Sequence, residues 1–378
     1  MKDINLPLYF DYASTTPLDS VVLKEMMPYL TSNFGNASSS THAYGWIAKG
    51  AVTKATKQIC GFLNCVESEI TFTSGATESI NTALIGVYNT YKAVGNHIIT
   101  VATEHKAVLD TCAFLKSQGA EITYLPVNEN GQINLTDLQN SITPTTIGIC
   151  VMWVNNETGT IQPIEEIGEI AFDHNIPFIC DASQAVGRIN IDFAKLKIGL
   201  MAVSGHKIYG PKGIGLLITK RKNPRIKITP LIHGGGQQSN LRAGTLNVPG
   251  IVGIGAAISI MSENMLAIQE NISNYQTRII TEFEKLNFKT SVPNQYSVPN
   301  IINFSSPNIK ATDLIKQASN IAFSLGSACN SESLSPSHVL KAMGYSDEKC
   351  YQSFRLSIGK YTTNEEIDTL ISTFQKLK

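Results

Sequence analysis

The sequence predicts an α/β protein built around a mostly parallel sheet, and two observations lead to that fold class. The chain has 378 residues, of which 43% are hydrophobic, which is enough for a sizeable core and for about two domains. Along its first two-thirds, short apolar runs alternate with segments of helical period. This alternation is typical of a parallel sheet, whose ligands bind just beyond the carboxyl ends of the strands.

The first clear unit is a strand followed by a helix. Residues 70–73 form a short apolar run, and apolar residues then recur at positions 80, 84, 87, 91 and 94, in steps of four and three that indicate a helix. The same alternation continues downstream. It predicts strands over 97–101, 122–127, 147–154, 177–180, 200–203 and 214–219, and helices near 106–118, 135–141 and 163–174.

The last third of the chain has a different character. A glycine-rich loop at 231–237 marks a shift in composition, and a long amphipathic helix is predicted from Pro249 to about Leu286. We expect this helix to join two domains. Strands are predicted near 299–304, 319–325 and 353–358, and the run Thr363-Asn-Glu-Glu366 fits a capping box that begins a final helix.

Charge and hydropathy exclude several classes of function. The 30 Lys+Arg balance the 30 Asp+Glu, and the one short basic run, at 220–222, is too small for an extended nucleic-acid or anionic-membrane surface. The most apolar stretch, 248–261, is interrupted by Pro249 and is shorter than the roughly 18 residues that a membrane helix needs. The N-terminus shows no secretory signal. We therefore expect a cytoplasmic protein.

The seven cysteines are an odd number and include no C-x-x-C pair, so neither a disulfide framework nor a zinc site is predicted. Six of them are expected to be packing residues. Cys329 differs because it lies among small and polar residues, in the stretch 326–336. A thiol in such a stretch is expected to be reachable by solvent and reactive.

Three groups at strand ends carry chemistry. The turn Ser74-Gly-Ala-Thr-Glu78 is a candidate anion site at a helix N-terminus, although any tight turn could use such residues. Asp181 follows a buried strand, where it could equally be a helix cap. Lys207 follows another strand, a position usually taken by a surface residue. Together, however, they are the phosphate site, the carboxylate and the Schiff-base amine that pyridoxal 5'-phosphate (PLP) requires.

Further motifs recur in order along nearly the whole chain. They are Asp11-Tyr-Ala-Ser-Thr-Thr-Pro17, Phe34-Gly-Asn36, Glu104-His105, Val154-Asn-Asn-Glu-Thr-Gly159, Ser204-Gly-His-Lys207, Arg242-Ala-Gly-Thr245, Gly326-Ser-Ala-Cys329 and Arg355-Leu-Ser. With these motifs the sequence resembles the cysteine desulfurases of the NifS/IscS type (group I), within the class V aminotransferase family. The resemblance implies a PLP-dependent transferase fold of type I. It implies a large PLP-binding domain over 15–260, and a smaller α+β domain over 1–14 and 261–378 that carries a mobile cysteine loop.

The same resemblance implies roles for individual residues. Lys207 would form the Schiff base and shuttle protons, Cys329 would be the nucleophile, and His105 would stack on the cofactor and assist proton transfer. The residues implied to hold PLP are Ala76, Thr77, His105, Asn156, Asp181, Gln184, Ser204, His206, Lys207 and, from the partner subunit of a homodimer, Thr245. Those implied to orient the substrate are Asn36, Asn156 and Arg355, the last through a bidentate contact with the α-carboxylate.

The implied reaction converts L-cysteine to L-alanine and leaves a persulfide on Cys329 for transfer to an acceptor, such as an iron–sulfur scaffold or a thiolation enzyme. No resident metal is implied, although Cys329 could share a transferred iron–sulfur cluster. Ala37, Ser40 and Leu325 depart from the residues usual in the family. One alternative is a selenocysteine lyase or another class V PLP lyase, which would not need Cys329. Another is a PLP-bound sulfur carrier or scaffold subunit that is active only in a complex.

Overall fold

A computed structural model describes residues 6–325 and 335–377 of the chain. In chain order, its first elements are β1 (Leu8–Tyr9), α1 (Ser20–Leu30), α2 (Ala43–Leu63), β2 (Ile70–Thr73), α3 (Ala76–Tyr91), β3 (His97–Val101), α4 (Lys106–Ser117), β4 (Glu121–Leu125), α5 (Leu135–Ser141), β5 (Thr146–Met152), α6 (Ile164–Asp173), β6 (Phe178–Asp181), β7 (Leu200–Ser204) and β8 (Gly215–Thr219). The remaining elements are α7 (Val248–Lys285), β9 (Lys289–Thr290), β10 (Ile301–Ser305), α8 (Ala311–Gln317), β11 (Ile321–Ala322), β12 (Ser324–Leu325), α9 (His338–Ala342), α10 (Asp347–Tyr351), β13 (Ser353–Ser357) and α11 (Asn364–Gln375).

The larger sheet has the strand order β2-β8-β7-β6-β5-β3-β4. The pairs from β4 through β3, β5 and β6 to β7 are parallel, whereas β8 runs antiparallel to both β7 and β2. The mostly parallel sheet is therefore confirmed. The six strands from β2 to β3 in this order are buried along their whole length, because helices cover both faces, whereas the edge strand β4 is partly exposed. Met152 pairs with Asp181, and Asp181 with Ala202, so the ends of three adjacent strands lie side by side.

A second, antiparallel sheet has the order β12-β13-β10-β9, and β1 pairs with β11 beside it. Its core is rich in phenylalanine rings: Phe283, Phe288, Phe304, Phe354 and Phe374 pack with centroids 4.7 to 5.8 Å apart. Such aromatic packing contributes large buried areas in a small unit. This sheet and its helices form a compact core distinct from that of the larger sheet.

Helix α7 connects the two cores, as its sequence predicts. Its first half contributes Ile251, Ile254 and Ile258 to the core of the larger sheet, and its second half contributes Ile279 and Phe283 to the phenylalanine core. The apolar part of this helix is longer than the 14-residue stretch 248–261 suggests. By length and composition alone, the helix could cross a membrane. Half of that apolar window is buried inside the protein, against α1 and α2 among others.

Most predicted elements agree with the structure to within two or three residues at each end. The exception is the strand predicted over 319–325, which is two short strands in two different sheets. β11 pairs with β1 in parallel and β12 pairs with β13 antiparallel. The chain changes partner at Phe323, whose side chain is buried in the phenylalanine core. The capping box is confirmed, since Thr363 and Glu366 each bond the other's backbone N–H.

Candidate active site

A cavity of about 570 Å³ lies at the carboxyl ends of the parallel strands. Asp181 ends β6, Ser204 ends β7, and His105 caps the helix that follows β3. The sequence-predicted residues that line the cavity are Ala76, Thr77, His105, Asn156, Asp181, Gln184, Ser204, His206, Lys207 and Arg355. Residues far apart in the chain are thus brought together where ligands bind in α/β sheets.

The turn between β2 and α3 forms one wall of the cavity. Gly75 has a φ of 153°, and a Cβ on Gly215 of β8 would come within 2.6 Å of the Gly75 Cα, so both positions need glycine. Helix α3 begins at Ala76 beside the cavity. Behind the turn, Arg242 donates to both carboxylate oxygens of Glu78, at 2.8 and 3.3 Å. The helix N-terminus that results is suited to an anion.

Lys207 lies in the short helical turn after β7, and its side chain is directed to the N-terminal segment. Its Nζ donates to the carbonyl oxygens of Ala13 and Ser14, at 2.6 and 2.7 Å. Burial lowers the pKa of Lys207 to about 8, helped by the positive charges of Arg355 and Arg188 and opposed by nearby carboxylates. An amine with that pKa is neutral in roughly a tenth of molecules at pH 7, so Lys207 can act as a nucleophile and a base.

The two histidines of the cavity are held in defined states. His105 Nδ1 accepts a hydrogen bond from the Ala107 N–H at 3.1 Å, which leaves the proton of the neutral ring on Nε2. Burial lowers its pKa, with Asp181 opposing and Lys207 adding to the shift. His206 Nδ1 lies 3.0 Å from Thr15 Oγ1, and burial, with Lys207 and Lys212 nearby, lowers its pKa to about 4. His206 is therefore neutral at physiological pH.

Buried polar atoms test whether PLP fits this cavity. Asp181 Oδ1 accepts from the Ser183 N–H at 2.9 Å. Within the described chain, the Ser183 Oγ and Gln184 Oε1 atoms are buried without a hydrogen-bond partner. Because such atoms normally find a partner, they call for a polar ligand. With the anion turn, the Asp181 carboxylate and the Lys207 amine, the residues present fit a phosphorylated pyridine aldehyde.

The Gln184 side chain connects the N-terminal segment to the cavity. Its Nε2 donates to the Ala13 carbonyl at 2.8 Å. Because an amide nitrogen has two N–H donors, Nε2 can still donate to a ligand, and the buried Oε1 can accept from one.

Arg355 is 1% exposed and extends from β13 into the cavity. Its Nη1 donates to the Asn156 carbonyl at 2.7 Å, and its Nη2 donates to Asp11 Oδ1 at 2.6 Å and to Ser14 Oγ at 2.8 Å. Its Nε is buried without a partner in the described chain. The guanidinium thus has an acidic partner and also faces the cavity.

Three predicted site residues are not part of this cavity as the structure describes it. Asn36 is exposed and its Oδ1 accepts from the Ser38 N–H. Thr245 is exposed and lies outside the cavity lining. Cys329 falls outside the described residues. The structure adds cavity residues to which the sequence assigned no role: Ala13, Ser14, Met152, Ser183 and Lys212.

The six described cysteines are poor nucleophiles. Burial raises the pKa of Cys60, Cys65, Cys112, Cys150, Cys180 and Cys350. Four of them are buried, as expected of packing residues, whereas Cys60 and Cys65 are only partly covered, because they lie at the surface end of α2. Since the thiolate is the reactive form, burial makes these six thiols less reactive than a free cysteine.

Comparison with known proteins decides the family, since the model of the class V aminotransferases matches residues 8–370. The chain belongs to the class V aminotransferase family. The cysteine desulfurase IscS of Ehrlichia chaffeensis is 45% identical over 385 aligned residues, which cover 100% of this chain and 93% of that protein. A solved structure named NifS-like protein superposes with a TM-score of 0.91 at 35% identity, covering 98% of this chain and 99% of the other.

A structure described as SspA in complex with cysteine has a TM-score of 0.83 at 38% identity, and the match covers 94% of this chain and 100% of that one. These similarities place the chain among the class V enzymes of the NifS/IscS type. It is a PLP-dependent cysteine desulfurase with the type I transferase fold.

Proposed function

We propose that this class V enzyme converts L-cysteine to L-alanine and holds the sulfur as a persulfide on Cys329 before passing it to a protein acceptor. One observation carries the proposal: an amine of lowered pKa, a carboxylate, a guanidinium and an anion-binding turn converge in one cavity. PLP, when bound there, supplies the electron sink that makes the C–S bond of the substrate labile.

The chain's own residues divide the remaining work. The turn with Ala76 and Thr77, together with Ser204 and His206, would hold the phosphate. Asp181 would keep the ring nitrogen protonated, and His105 and Gln184 would contact the ring. Arg355 and Asn156 orient the α-carboxylate, and Lys207 Nζ takes the proton from the substrate Cα and returns it.

The sulfur step requires a thiolate that can reach the substrate. Cys329 Sγ attacks the substrate sulfur, an S–S bond forms, and the electron pair of the broken C–S bond passes to the substrate carbon, which takes up a proton. The enzyme keeps the sulfur as a persulfide and releases L-alanine. The raised pKa values of the six described cysteines support Cys329 for this role.

We propose a homodimer in which the partner's Thr245 completes the phosphate site. Thr245 is exposed and outside the cavity of its own chain. The region 21–47 exposes several large apolar side chains, and such patches mark interfaces. They are Val21, Leu23, Met27, Leu30, Phe34, Tyr44, Trp46 and Ile47, each 44% to 67% exposed.

The same proposal extends to the sulfur acceptor and to the cellular location. The relatives named IscS favour an iron–sulfur scaffold as acceptor, with a thiolation enzyme as the other candidate. A cytoplasmic location agrees with the reducing conditions that a free Cys329 thiolate needs.

We also propose a large domain over 15–260 and a small one over 1–14 and 261–378, which the two cores joined by α7 support.

The test measures sulfide and L-alanine released from L-cysteine by the PLP-loaded enzyme with a thiol reductant. A Cys329→Ala variant should lose nearly all sulfide release while it keeps the absorbance of bound PLP. Cys350→Ala is the matched control and should stay close to the wild-type rate. Sulfide release by Cys329→Ala at the wild-type rate would rule out the assigned nucleophile. Turnover with and without a purified scaffold protein then tests the acceptor.

A further inference from the structure

The segment 11–14 contacts both cationic groups of the cavity. Its main-chain carbonyls at Ala13 and Ser14 accept from Lys207 Nζ. Its side chains at Asp11 and Ser14 accept from Arg355 Nη2. The lysine and the arginine thus meet on four consecutive residues, although they come from different sheets.

This segment is also tied to the strand that carries Arg355. Asp11 forms a bridge with Ser357 of β13, and the Ala13 N–H donates to Ser357 Oγ at 2.9 Å. The Ser357 N–H donates in turn to the Phe10 carbonyl at 2.8 Å. Ser357 is fully buried, so the segment and the guanidinium two residues earlier in β13 are held as one unit.

The hydrogen bonds leave Arg355 a defined capacity for a ligand. A guanidinium has five N–H donors, and three are engaged by Asn156, Asp11 and Ser14. The Nε–H, which is buried without a partner in the described chain, and the second N–H of Nη1 are left. The hydrogen bonds from Nη2 to Asp11 and Ser14 keep the guanidinium from rotating, so these two N–H groups have a fixed direction.

We propose that Asp11 and Ser14 are positioning residues for the α-carboxylate of the substrate. They fix the Arg355 guanidinium, and the carbonyls of the same segment accept from the Lys207 amine. The distance between Arg355, which meets the carboxylate of an α-amino acid, and Lys207, which lies near its amine, therefore stays constant. Ser14 contributes a hydroxyl that touches Arg355, and Asp11 balances its charge. This inference rests on the proposed amino-acid site and deepens it, because it names what selects a carboxylate beside an amine.

The experiment compares two ligands that differ by one carboxylate. L-Alanine and ethylamine are titrated into the PLP-loaded enzyme, and binding is followed by the absorbance of bound PLP. In Ser14→Ala, we expect the apparent Kd of L-alanine to rise about tenfold or more, the usual cost of a lost hydrogen bond to a charged group. The Kd of ethylamine should stay within about twofold of wild type, because the backbone carbonyls that hold Lys207 are unchanged.

Ser117→Ala is the matched control, since that exposed serine bonds to the carbonyl of Phe114 on its own helix and to the side chain of the neighbouring Gln118, outside the cavity; it should bind both ligands as the wild type does. An unchanged L-alanine Kd in Ser14→Ala overturns the inference. An equal rise in the Kd of both ligands also overturns it, since the hydroxyl would then affect the binding of any amine and not the carboxylate in particular. A wild-type enzyme that responds to ethylamine but not to L-alanine would instead refute the proposed amino-acid site.

Discussion

Glu157 is a buried carboxyl group whose protonation makes the stability of the fold depend on pH. It follows Asn156 in the chain, is 5% exposed, and its Oε2 accepts from Ser337 Oγ at 2.5 Å. Burial raises its pKa to about 7, although the bond from Ser337 and the charge of Arg355 both oppose this shift. The folded protein therefore holds a proton on Glu157 that the unfolded chain releases above its ordinary pKa of 4.5.

This difference predicts a pH-dependent stability. Because the folded-state pKa is the higher one, the stabilisation by protonated Glu157 is complete below pH 4.5 and is lost as the pH rises to about 7. The effect is on the order of 3 kcal/mol. In Glu157→Gln, which stays neutral, the fall in unfolding free energy between pH 5 and pH 8 should be smaller than in the wild type. Urea unfolding at both pH values measures it, and equal falls in the two proteins would contradict the assignment.

Asp181 and Lys207 were predictable as cavity residues, whereas Ala13, which uses its backbone, was not. Asp181 and Lys207 follow apolar runs, and this placement alone put them at one sheet edge. Ala13 has no polar side chain, so nothing in its residue type indicates that its carbonyl accepts from both Lys207 and Gln184. The low pKa of Lys207 also depends on Arg355 and Arg188, which lie elsewhere in the sequence.

Among the elements, α1 is held by the residue that precedes it, Asp19. Asp19 caps it by accepting from the Val21 N–H at 2.7 Å, and the same carboxylate pairs with Lys360 and accepts from Tyr361 OH at 2.7 Å. Although burial by itself raises the pKa of Asp19, these three partners lower it to about 2. The cap thus joins the N-terminal helix to the chain just before α11.

We expect Asp19→Ala to lower the unfolding free energy at pH 7 by about 3 kcal/mol or more, since it removes a cap and leaves Lys360 without its buried partner. Asp19→Asn, which can still cap, should lose less. Because the folded-state pKa is depressed, the difference in unfolding free energy between wild type and Asp19→Asn should shrink as the pH falls from 3.8 towards 2.

Glu25→Ala on the same helix is the control: its exposed pair with Lys54 contributes about 0.5 kcal/mol or less. A loss in Asp19→Ala no larger than in Glu25→Ala would refute this role.

The strands of the larger sheet were predicted well, whereas the helices α1 and α2 and the strands defined by their partners were not predicted. Strands β2 to β8 are short apolar runs, so their positions follow from the sequence. The antiparallel direction of β8 does not, because it depends on how the chain returns from Lys207. The short strands β1 and β11 exist only through pairing with each other, which no local pattern reveals.

At the scale of the whole molecule, the exposed apolar region 21–47 predicts the oligomeric state. Sedimentation equilibrium should give twice the chain mass of 41.1 kDa. Trp46→Asp, at a side chain that is 59% exposed, should shift the protein towards the monomer and weaken PLP binding, because the partner's Thr245 is lost with the interface. Leu266→Asp changes an apolar residue that is 83% exposed on α7 and should leave the mass unchanged. A Trp46→Asp protein that stays at twice the chain mass would count against this interface.

The contact between Arg355 and Asp11 joins residues 344 positions apart. During synthesis on the ribosome, Lys207 and Asp181 leave the exit tunnel long before Arg355 does. A nascent chain can therefore complete the larger sheet early, but the Asp11 carboxylate, Ser14 and the guanidinium meet only when translation is nearly finished. The Arg355 side of the cavity is consequently assembled last, so a truncated polypeptide can carry Lys207 without the groups that we propose select the substrate.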